Sequence, residues 1–331
     1  MLRPRHAKVG EQADLTTRVG SVILPNPIMS ASGTAGHGAE LARYFDLSSL
    51  GAVVVKSLSP LPWPGNPSPR VHETAAGMIN SVGLQGPGVE AWLEEELPEL
   101  EHTDARVVAS IWGRTVSEFE RAAELLAEAP ASVIAVEVNV SCPNLEDRSK
   151  MFAHSTSATF DVIAASAACR RPRWAKLSPN TYELVDIAAA AHAAGAEAVT
   201  LVNTVLGMVI DIDARRPLLG AARGGLSGRA IHPVAVRSVF DCREAHRDLP
   251  IIGVGGVASA GDAIELIMAG ANAVQVGTAT FADPRAMVRI LDGVREWCRR
   301  HGLSTLDEIR DVAHAHAQPQ DQAIKSGANH G

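Results

Sequence analysis

Residues 250–279 carry the sequence PIIGVGGVASAGDAIELIMAGANAVQVGTA, in which two apolar runs flank one helical pattern. The runs 250–256 and 273–279 are almost continuously apolar, as expected for parallel strands that are covered on both faces. Between them, 259–270 has the apolar spacing of a helix and stops at a glycine. This strand–helix–strand unit predicts a parallel α/β fold.

Similar apolar runs precede this unit at 27–33, 52–57, 106–112, 135–141, 173–179 and 198–204. Further helical patterns lie at 115–129, 181–195, 231–247 and 283–302. Eight strands alternating with helices predict an α/β fold of the (β/α)8 TIM barrel type over 21–316, with an N-terminal arm at 1–20 and a flexible tail at 317–331. The alternative is a doubly wound open sheet, whose glycine fingerprint the segment 33–36 (GTAG) matches only in part.

Two of the expected connections are much longer than the others. Residues 58–88, after the second strand, are rich in proline and glycine, and 205–230, after the sixth, contain the segment GGLSG at 224–228. Both leave the carboxyl ends of strands, where barrel enzymes keep their sites. We therefore expect ordered loops over a pocket rather than linkers.

Composition narrows the classes of function. The chain has 331 residues, a net charge of −7 and no basic run, so nucleic acid is not an expected partner. No stretch reaches the ~18 apolar residues of a membrane span, and the charged N-terminus lacks the apolar core of a secretory signal. The four cysteines are too far apart for a metal knuckle, and no His, Asp and Glu set suggests another metal. These features predict a cytoplasmic protein without a metal site.

The last two strands end in glycines that can bind an anion. Gly255 and Gly256 follow the seventh strand, while Gly277 and Thr278 follow the eighth. Exposed backbone N–H groups at these two positions of a barrel commonly bind phosphate. Tight turns are the alternative explanation for either pair taken alone.

Lys56 and Lys176 stand at the ends of apolar strands, in a chain with only five lysines among its 30 basic residues. A buried unpaired ammonium is costly. Each lysine is therefore predicted either to pair with a carboxylate, such as Glu137, or to face an anionic ligand or a reduced cofactor ring.

Cys142 and a group of asparagines mark the same end of the predicted barrel. Cys142 follows the fourth strand in a polar loop, where a thiol can act as a base or a nucleophile; a small buried side chain is the alternative. Amides that suit a planar, amide-rich ring such as a pyrimidine occur at Asn80, Asn139, Asn144 and Asn203. The alternative for these is turn formation.

Seven segments, in order along the chain, resemble the class 1 dihydroorotate dehydrogenase family. They are 80–85 (NSVGLQ), 138–144 (VNVSCPN), 176–180 (KLSPN), 202–204 (VNT), 224–228 (GGLSG), 253–256 (GVGG) and 276–278 (VGT). The resemblance implies an FMN-dependent barrel that oxidises (S)-dihydroorotate to orotate in pyrimidine biosynthesis, with Cys142 as the base and a hydride passed to the flavin.

The resemblance also assigns binding residues. Those implied for the pyrimidine are Asn80, Asn139, Asn144 and Asn203, together with Lys56, Ser81, Val82, Gly83, Leu84 and Thr204. Those implied for the flavin are Ser32, Lys56, Ser57, Ser110, Asn139, Lys176, Val202 and Gly228, with Gly255, Gly256, Gly277 and Thr278 at its phosphate. Ser110 stands where the family carries Asn, and the bulky Trp112 follows it.

Class 2 has Ser in place of Cys142 and an N-terminal membrane segment, and the Pro-Gly that follows Asn144 in class 1A is absent, so the resemblance is closest to class 1B. Class 1B implies a homodimer core and a partner subunit with FAD and an iron–sulfur cluster that passes electrons to NAD. Residues 145–154 are charged and bulkier than the family's glycine-rich loop. This difference leaves two alternatives, a flavin enzyme for another dihydropyrimidine or cyclic unsaturated amide, and a non-catalytic flavin-binding subunit.

Overall fold

The computed structural model describes residues 13–142 and 151–316. Its strands are β1 (Thr17–Val19), β2 (Val22–Leu24), β3 (Ile28–Ser30), β4 (Val53–Val54), β5 (Val71–Thr74), β6 (Gly77–Asn80), β7 (Val107–Ile111), β8 (Val133–Asn139), β9 (Arg173–Lys176), β10 (Ala198–Leu201), β11 (Val205–Met208), β12 (Ile210–Asp211), β13 (Arg216–Pro217), β14 (Arg223–Ser227), β15 (Ile251–Val254) and β16 (Ala273–Val276).

The α-helices are α1 (Val89–Ala91), α2 (Leu97–Glu101), α3 (Val116–Leu125), α4 (Thr156–Ala165), α5 (Leu184–Ala193), α6 (His232–Ala245), α7 (Ala260–Ala269), α8 (Ala279–Ala282) and α9 (Ala286–His301). A π-helical segment, Trp92–Glu96, joins α1 to α2. Short 3-10 helices lie at Glu40–Arg43, Leu47–Ser49, Phe152–His154, Ser166–Cys169, Arg229–Ile231, Leu306–Glu308 and Val312–His316.

The central sheet is a closed parallel barrel. Within residues 13–142 and 151–316, its eight strands follow the order β3-β16-β15-β10-β9-β8-β7-β4. A parallel bridge between Met29 and Ala52 joins the first strand of this order to the last. The predicted (β/α)8 barrel is thus confirmed and the open sheet is excluded. Each predicted strand overlaps one barrel strand, although β4 has only two residues.

Two apolar layers stabilise the barrel. One fills its interior and includes Met29, Val108 and Trp174, with Val19 and Leu24 of the β1–β2 hairpin packed against them. The larger layer lies between the strands and the surrounding helices. The hairpin spans residue 20, where the sequence predicted the end of an N-terminal arm. Residues 1–12 and the predicted tail at 317–331 lie outside the described residues.

Each predicted helix overlaps one helix of the structure. Thr115 caps α3 by accepting from the Glu118 N–H, and Glu118 itself bonds to the N–H of Arg114. The helix predicted at 283–302 begins three residues later, because Asp283 ends α8 and caps no helix. The sequence analysis missed α4, which follows the fourth barrel strand, and the short helices α1, α2 and α8.

The two long insertions are ordered, as expected, and contribute strands to a second sheet. Strands β5 and β6 come from the first insertion, and β11 and β14 come from the second. They pair antiparallel in the order β11-β14-β6-β5, with Asn80 opposite Gly225. This sheet lies beside the carboxyl ends of the barrel strands, since residues of both line one cavity. None of the described helices is long and apolar enough to cross a membrane.

Candidate active site

A cavity of about 410 Å³ lies at the carboxyl ends of the barrel strands. The predicted site residues that line it are Ser32, Lys56, Ser57, Asn80, Ser81, Val82, Gly83, Leu84, Asn139, Lys176, Val202, Asn203, Thr204, Gly228, Gly255, Gly256, Gly277 and Thr278. Ser110 and Cys142 are not among the lining residues. Asn144 lies outside the described residues.

The lining also contains residues that the sequence analysis missed. Val71 and Met78 come from the second sheet, Phe281 comes from α8, and Arg223 begins β14. The strand-like composition of 71–80 could have indicated β5 and β6, but nothing in it indicates which residues face a ligand. Among the described lining residues, Lys56, Lys176 and Arg223 are cationic and none is a carboxylate. The cavity is therefore suited to an anionic ligand.

One end of the cavity is built from the two glycine turns. Gly256 has φ +68°, and a Cβ there would lie 2.7 Å from His232 Cβ and 2.8 Å from Gly228 O. The chain can follow this path only because the position has no side chain. Among the described residues, the N–H groups of Gly256 and Thr278 have no hydrogen-bond acceptor. Two free donors at one end of a cavity make a candidate anion site.

Lys176 pairs with Glu137, as the first of its two explanations predicted, and whether it also faces an anionic ligand stays a prediction. Its Nζ lies 3.4 Å from Oε1 of Glu137, and the same side chain lines the cavity. The other carboxylate oxygen of Glu137 accepts from Gln275 Nε2 at 2.6 Å and Thr200 Oγ1 at 3.2 Å. Glu137 is fully buried. The barrel therefore fixes one ammonium at the floor of the cavity by a carboxylate that is itself hydrogen-bonded.

Lys56 has a different environment. No carboxylate among the described residues lies within 4 Å of its Nζ, although the side chain is partly buried. Burial, and secondly the charge of Arg70, lower the pKa of Lys56. An anionic ligand beside this ammonium would favour its charged form and offset both effects.

A chain of amides and hydroxyls crosses the cavity floor. Asn203 Nδ2 donates to Asn139 Oδ1 at 3.2 Å, and Asn139 Nδ2 donates to Ser57 Oγ at 3.3 Å. Ser57 in turn shares a 2.8 Å hydrogen bond with Ser110, which is fully buried behind it. Ser110 thus contacts the lining through Ser57 and does not reach the cavity itself. Asn80, on β6, donates to Gly225 O at 3.3 Å.

Cys142 is completely buried beside the cavity rather than exposed in it. Its Sγ lies 3.0 Å from Gly113 O and 3.2 Å from Asn139 O, and its S–H can donate to either carbonyl. Burial raises the pKa of this thiol to about 12. The neighbouring Ser141 does line the cavity. Cys142 is therefore a neutral thiol at pH 7, one residue away from the wall.

The loop 81–84 is supported by a tryptophan that the sequence analysis did not single out. Trp63 Nε1 donates to Gly83 O at 3.0 Å, and its ring packs edge-to-face on Trp112 with centroids 5.8 Å apart. The guanidinium of Arg114 lies 4.6 Å from the centre of the Trp63 ring. Trp112 is buried in this cluster and does not line the cavity. Trp63 thus connects the loop 81–84 to Trp112 and Arg114, the two residues that flank Gly113.

Comparison with known proteins shows the family of this chain. The family model described as dihydroorotate dehydrogenase matches residues 14–297. A protein of Desulforudis audaxviator is 46% identical over 297 residues, which cover 89% of this chain and 96% of the relative. A protein of Alkaliphilus oremlandii is 43% identical over 297 residues, covering 89% and 97%. Both are named dihydroorotate dehydrogenase B (NAD(+)), catalytic subunit, which confirms the predicted resemblance to class 1B. The chain therefore belongs to the dihydroorotate dehydrogenase family.

Proposed function

We propose that this chain oxidises (S)-dihydroorotate to orotate in pyrimidine biosynthesis, with FMN bound in the cavity at the strand ends. Membership of the family supports the reaction. The observation that carries the proposal is the lining of the cavity, which combines three cations with the amides of Asn80, Asn139 and Asn203 and has no carboxylate among its described residues. Dihydroorotate is a carboxylate with two ring amides, and FMN is a phosphate monoester, so both match these groups.

The residues present fit a flavin nucleotide. The free N–H groups of Gly256 and Thr278 suit its phosphate, and the volume of about 410 Å³ lies in the range of small-ligand sites. Lys176, fixed by Glu137, supplies positive charge where a flavin ring gains negative charge on reduction. The remaining flavin contacts are assigned to Ser32, Lys56, Ser57, Asn139, Val202 and Gly228, with Ser110 acting through Ser57.

The reaction removes a proton from C5 of the substrate and a hydride from C6. When bound, FMN supplies the acceptor for the hydride. In this proposal the amides hold the pyrimidine ring, Lys56 pairs with the substrate carboxylate, and the loop 81–84 with Thr204 closes one side. Cys142 loses its S–H proton to solvent, and its Sγ turns from the Gly113 carbonyl towards the cavity, where the thiolate accepts the C5 proton. Asn139 connects ring binding to proton removal, because it lines the cavity while its backbone carbonyl contacts Sγ of Cys142.

Electrons are proposed to leave through a separate subunit that carries FAD and an iron–sulfur cluster and reduces NAD, around a homodimer of this chain in the cytoplasm. The names of the relatives support the partner, because each is the catalytic subunit of an NAD(+) enzyme. The isolated chain is then expected to be reduced by dihydroorotate and to react only slowly with NADH. Rapid reduction of its flavin by NADH alone would contradict the separate partner.

In the deciding experiment, the purified, FMN-loaded chain is mixed anaerobically with dihydroorotate. The absorbance of the flavin at ~450 nm measures its reduction. Rapid bleaching is expected, and Cys142→Ala should slow it at least ~100-fold without loss of bound flavin. Cys242→Ala, which removes a buried thiol of α6 that is not among the lining residues, is the control. A yellow protein that another dihydropyrimidine bleaches, but dihydroorotate does not, would overturn the assigned substrate.

A further inference from the structure

His232 is the first residue of α6, and its ring packs behind the glycine turn that follows β15. The side chain is buried, with a relative exposure of 9%. Its Nδ1 lies 2.8 Å from the carbonyl oxygen of Gly255, and its Nε2 lies 3.1 Å from Oε2 of Glu265 on α7. Both ring nitrogens are therefore engaged, one by the turn and the other by a neighbouring helix.

The contact with Gly255 requires a proton on Nδ1. A carbonyl oxygen can only accept, so Nδ1 must be the donor in this hydrogen bond. Glu265 contacts the opposite nitrogen and limits rotation of the ring. His232 is thus held as a donor aimed at one backbone carbonyl.

The orientation of that carbonyl determines the direction of the next N–H. In a trans peptide the C=O of one residue and the N–H of the next point to opposite sides. Because the Gly255 carbonyl points towards His232, the Gly256 N–H points away from it. Both glycines line the cavity, and within the described part of the chain the Gly256 N–H has no acceptor.

The turn needs an external support of this kind. Gly255 and Gly256 both have positive φ, at +139° and +68°, and neither has a side chain that could fix its own conformation. A pair of glycines has unusual freedom to rotate the peptide between them. A donor that is already oriented binds a charged ligand more tightly, because it does not have to be ordered on binding.

We propose that His232 is a positioning residue for the phosphate of the flavin nucleotide: by binding the Gly255 carbonyl, it directs the Gly256 N–H at that phosphate. The inference rests on the proposed function, which makes FMN the ligand. Glu265 assists by holding the ring. Simple packing of α6 against the barrel is the competing explanation, and it would not distinguish a flavin that has a phosphate from one that lacks it.

The test compares FMN with riboflavin, which lacks the phosphate, by titrating the apoprotein and following flavin fluorescence. His232→Phe keeps a ring and removes the donor; it should weaken FMN binding about tenfold and change riboflavin binding less than about twofold. His232→Asn offers an amide N–H near the position of Nδ1 and should restore FMN binding to within about threefold of the original protein. His192→Phe is the matched control, because His192 Nδ1 also bonds a backbone carbonyl, that of Ala196 at 3.0 Å, but does not line the cavity.

The outcomes separate the two proposals. Equal losses for FMN and riboflavin, or no loss in His232→Phe, would overturn the role of His232 while leaving the flavin enzyme intact. If the original protein binds neither flavin, the proposed cofactor fails and the inference fails with it. If circular dichroism shows that His232→Phe does not fold, His232→Ala replaces it, with the same expected loss for FMN alone.

Discussion

The ammonium of Lys176 lies 3.4 Å from the carboxylate of Glu137, and both side chains are buried inside the barrel. Oε1 of Glu137 has this ion pair and no hydrogen bond, whereas Oε2 accepts from Gln275 and Thr200. Hydrogen bonds to Oε2 thus hold the Glu137 carboxylate in place, while Oε1 faces the Lys176 ammonium and balances its charge. A buried ion pair of this kind is costly to break, because either charge alone is poorly compensated.

Replacing Lys176 by Met should lower the free energy of unfolding by about 3–5 kcal/mol, since it leaves the Glu137 carboxylate buried without its cation. The double variant Lys176→Met with Glu137→Gln removes both charges and should recover most of that loss. Urea unfolding of the apoproteins, followed by circular dichroism, measures both values. Arg121→Met is the control, because it breaks an exposed 3.2 Å pair with Glu124 and should cost less than about 1 kcal/mol. Equal free energies of unfolding for the single and the double variant would contradict an energetic coupling between Lys176 and Glu137.

The barrel and most of the cavity lining could be predicted because they depend on local patterns. Apolar runs gave the strands, and barrel geometry brings the residues after each strand to one end. Lys176, Asn139 and Thr278 therefore lie at the cavity as expected. Seven family-like segments added the loop 81–84, which no periodicity would have placed there.

The features that could not be predicted depend on contacts between distant parts of the chain. Asn80 pairs with Gly225, 145 residues away, so neither insertion alone indicates the second sheet. Glu137 meets Gln275 across 138 residues, which only closure of the barrel achieves. Likewise, nothing local to the cysteine indicates that its thiol is buried against the carbonyl of Gly113. The roles of the site residues in substrate and flavin binding remain predictions.

The pH dependence of flavin reduction should reflect the buried thiol. Burial raises the pKa of Cys142 to about 12, so only a small fraction of the free enzyme carries a thiolate near neutral pH. A base must be deprotonated, and kcat/KM for dihydroorotate should therefore rise about tenfold per pH unit up to at least about pH 9. Anaerobic stopped-flow reduction across this range measures the slope. A plateau near pH 7 in the original protein would show that the buried thiol does not control the reaction.

Alkaline pH should destabilise the fold through its buried cysteines, most of all Cys142 and Cys242. Burial raises the pKa values of Cys142 and Cys242 to about 12, above the ordinary thiol value of 9.0 that applies in the unfolded chain. The contribution of these thiols to the free energy of unfolding is fully present below pH 9. It is lost as the pH rises towards 12, because only the thiols of the unfolded chain ionise between these values. At pH 10 each of these two cysteines should lower the free energy of unfolding by about 1.4 kcal/mol.

This contribution can be isolated with Cys242→Ala, which removes one of the two groups without touching the cavity. Urea unfolding at pH 7.5 and pH 10 should show a smaller loss of stability in the variant than in the original protein, by about 1.4 kcal/mol. The comparison cancels other groups that titrate in the same range. An identical loss in both proteins would contradict a raised pKa for Cys242.

Removing the indole N–H of Trp63 should loosen the loop 81–84 without altering the barrel. Trp63→Phe keeps a ring against Trp112 and Arg114 but loses the 3.0 Å bond to Gly83 O. One lost hydrogen bond of about 1 kcal/mol corresponds to a roughly fivefold rise in KM for dihydroorotate, with kcat and the flavin spectrum nearly unchanged. Trp297→Phe on α9, whose ring stacks on His301, is the matched control and should change neither constant. A fall in kcat at constant KM would instead place the effect of Trp63 on the base, through the carbonyl of Gly113 that contacts Cys142.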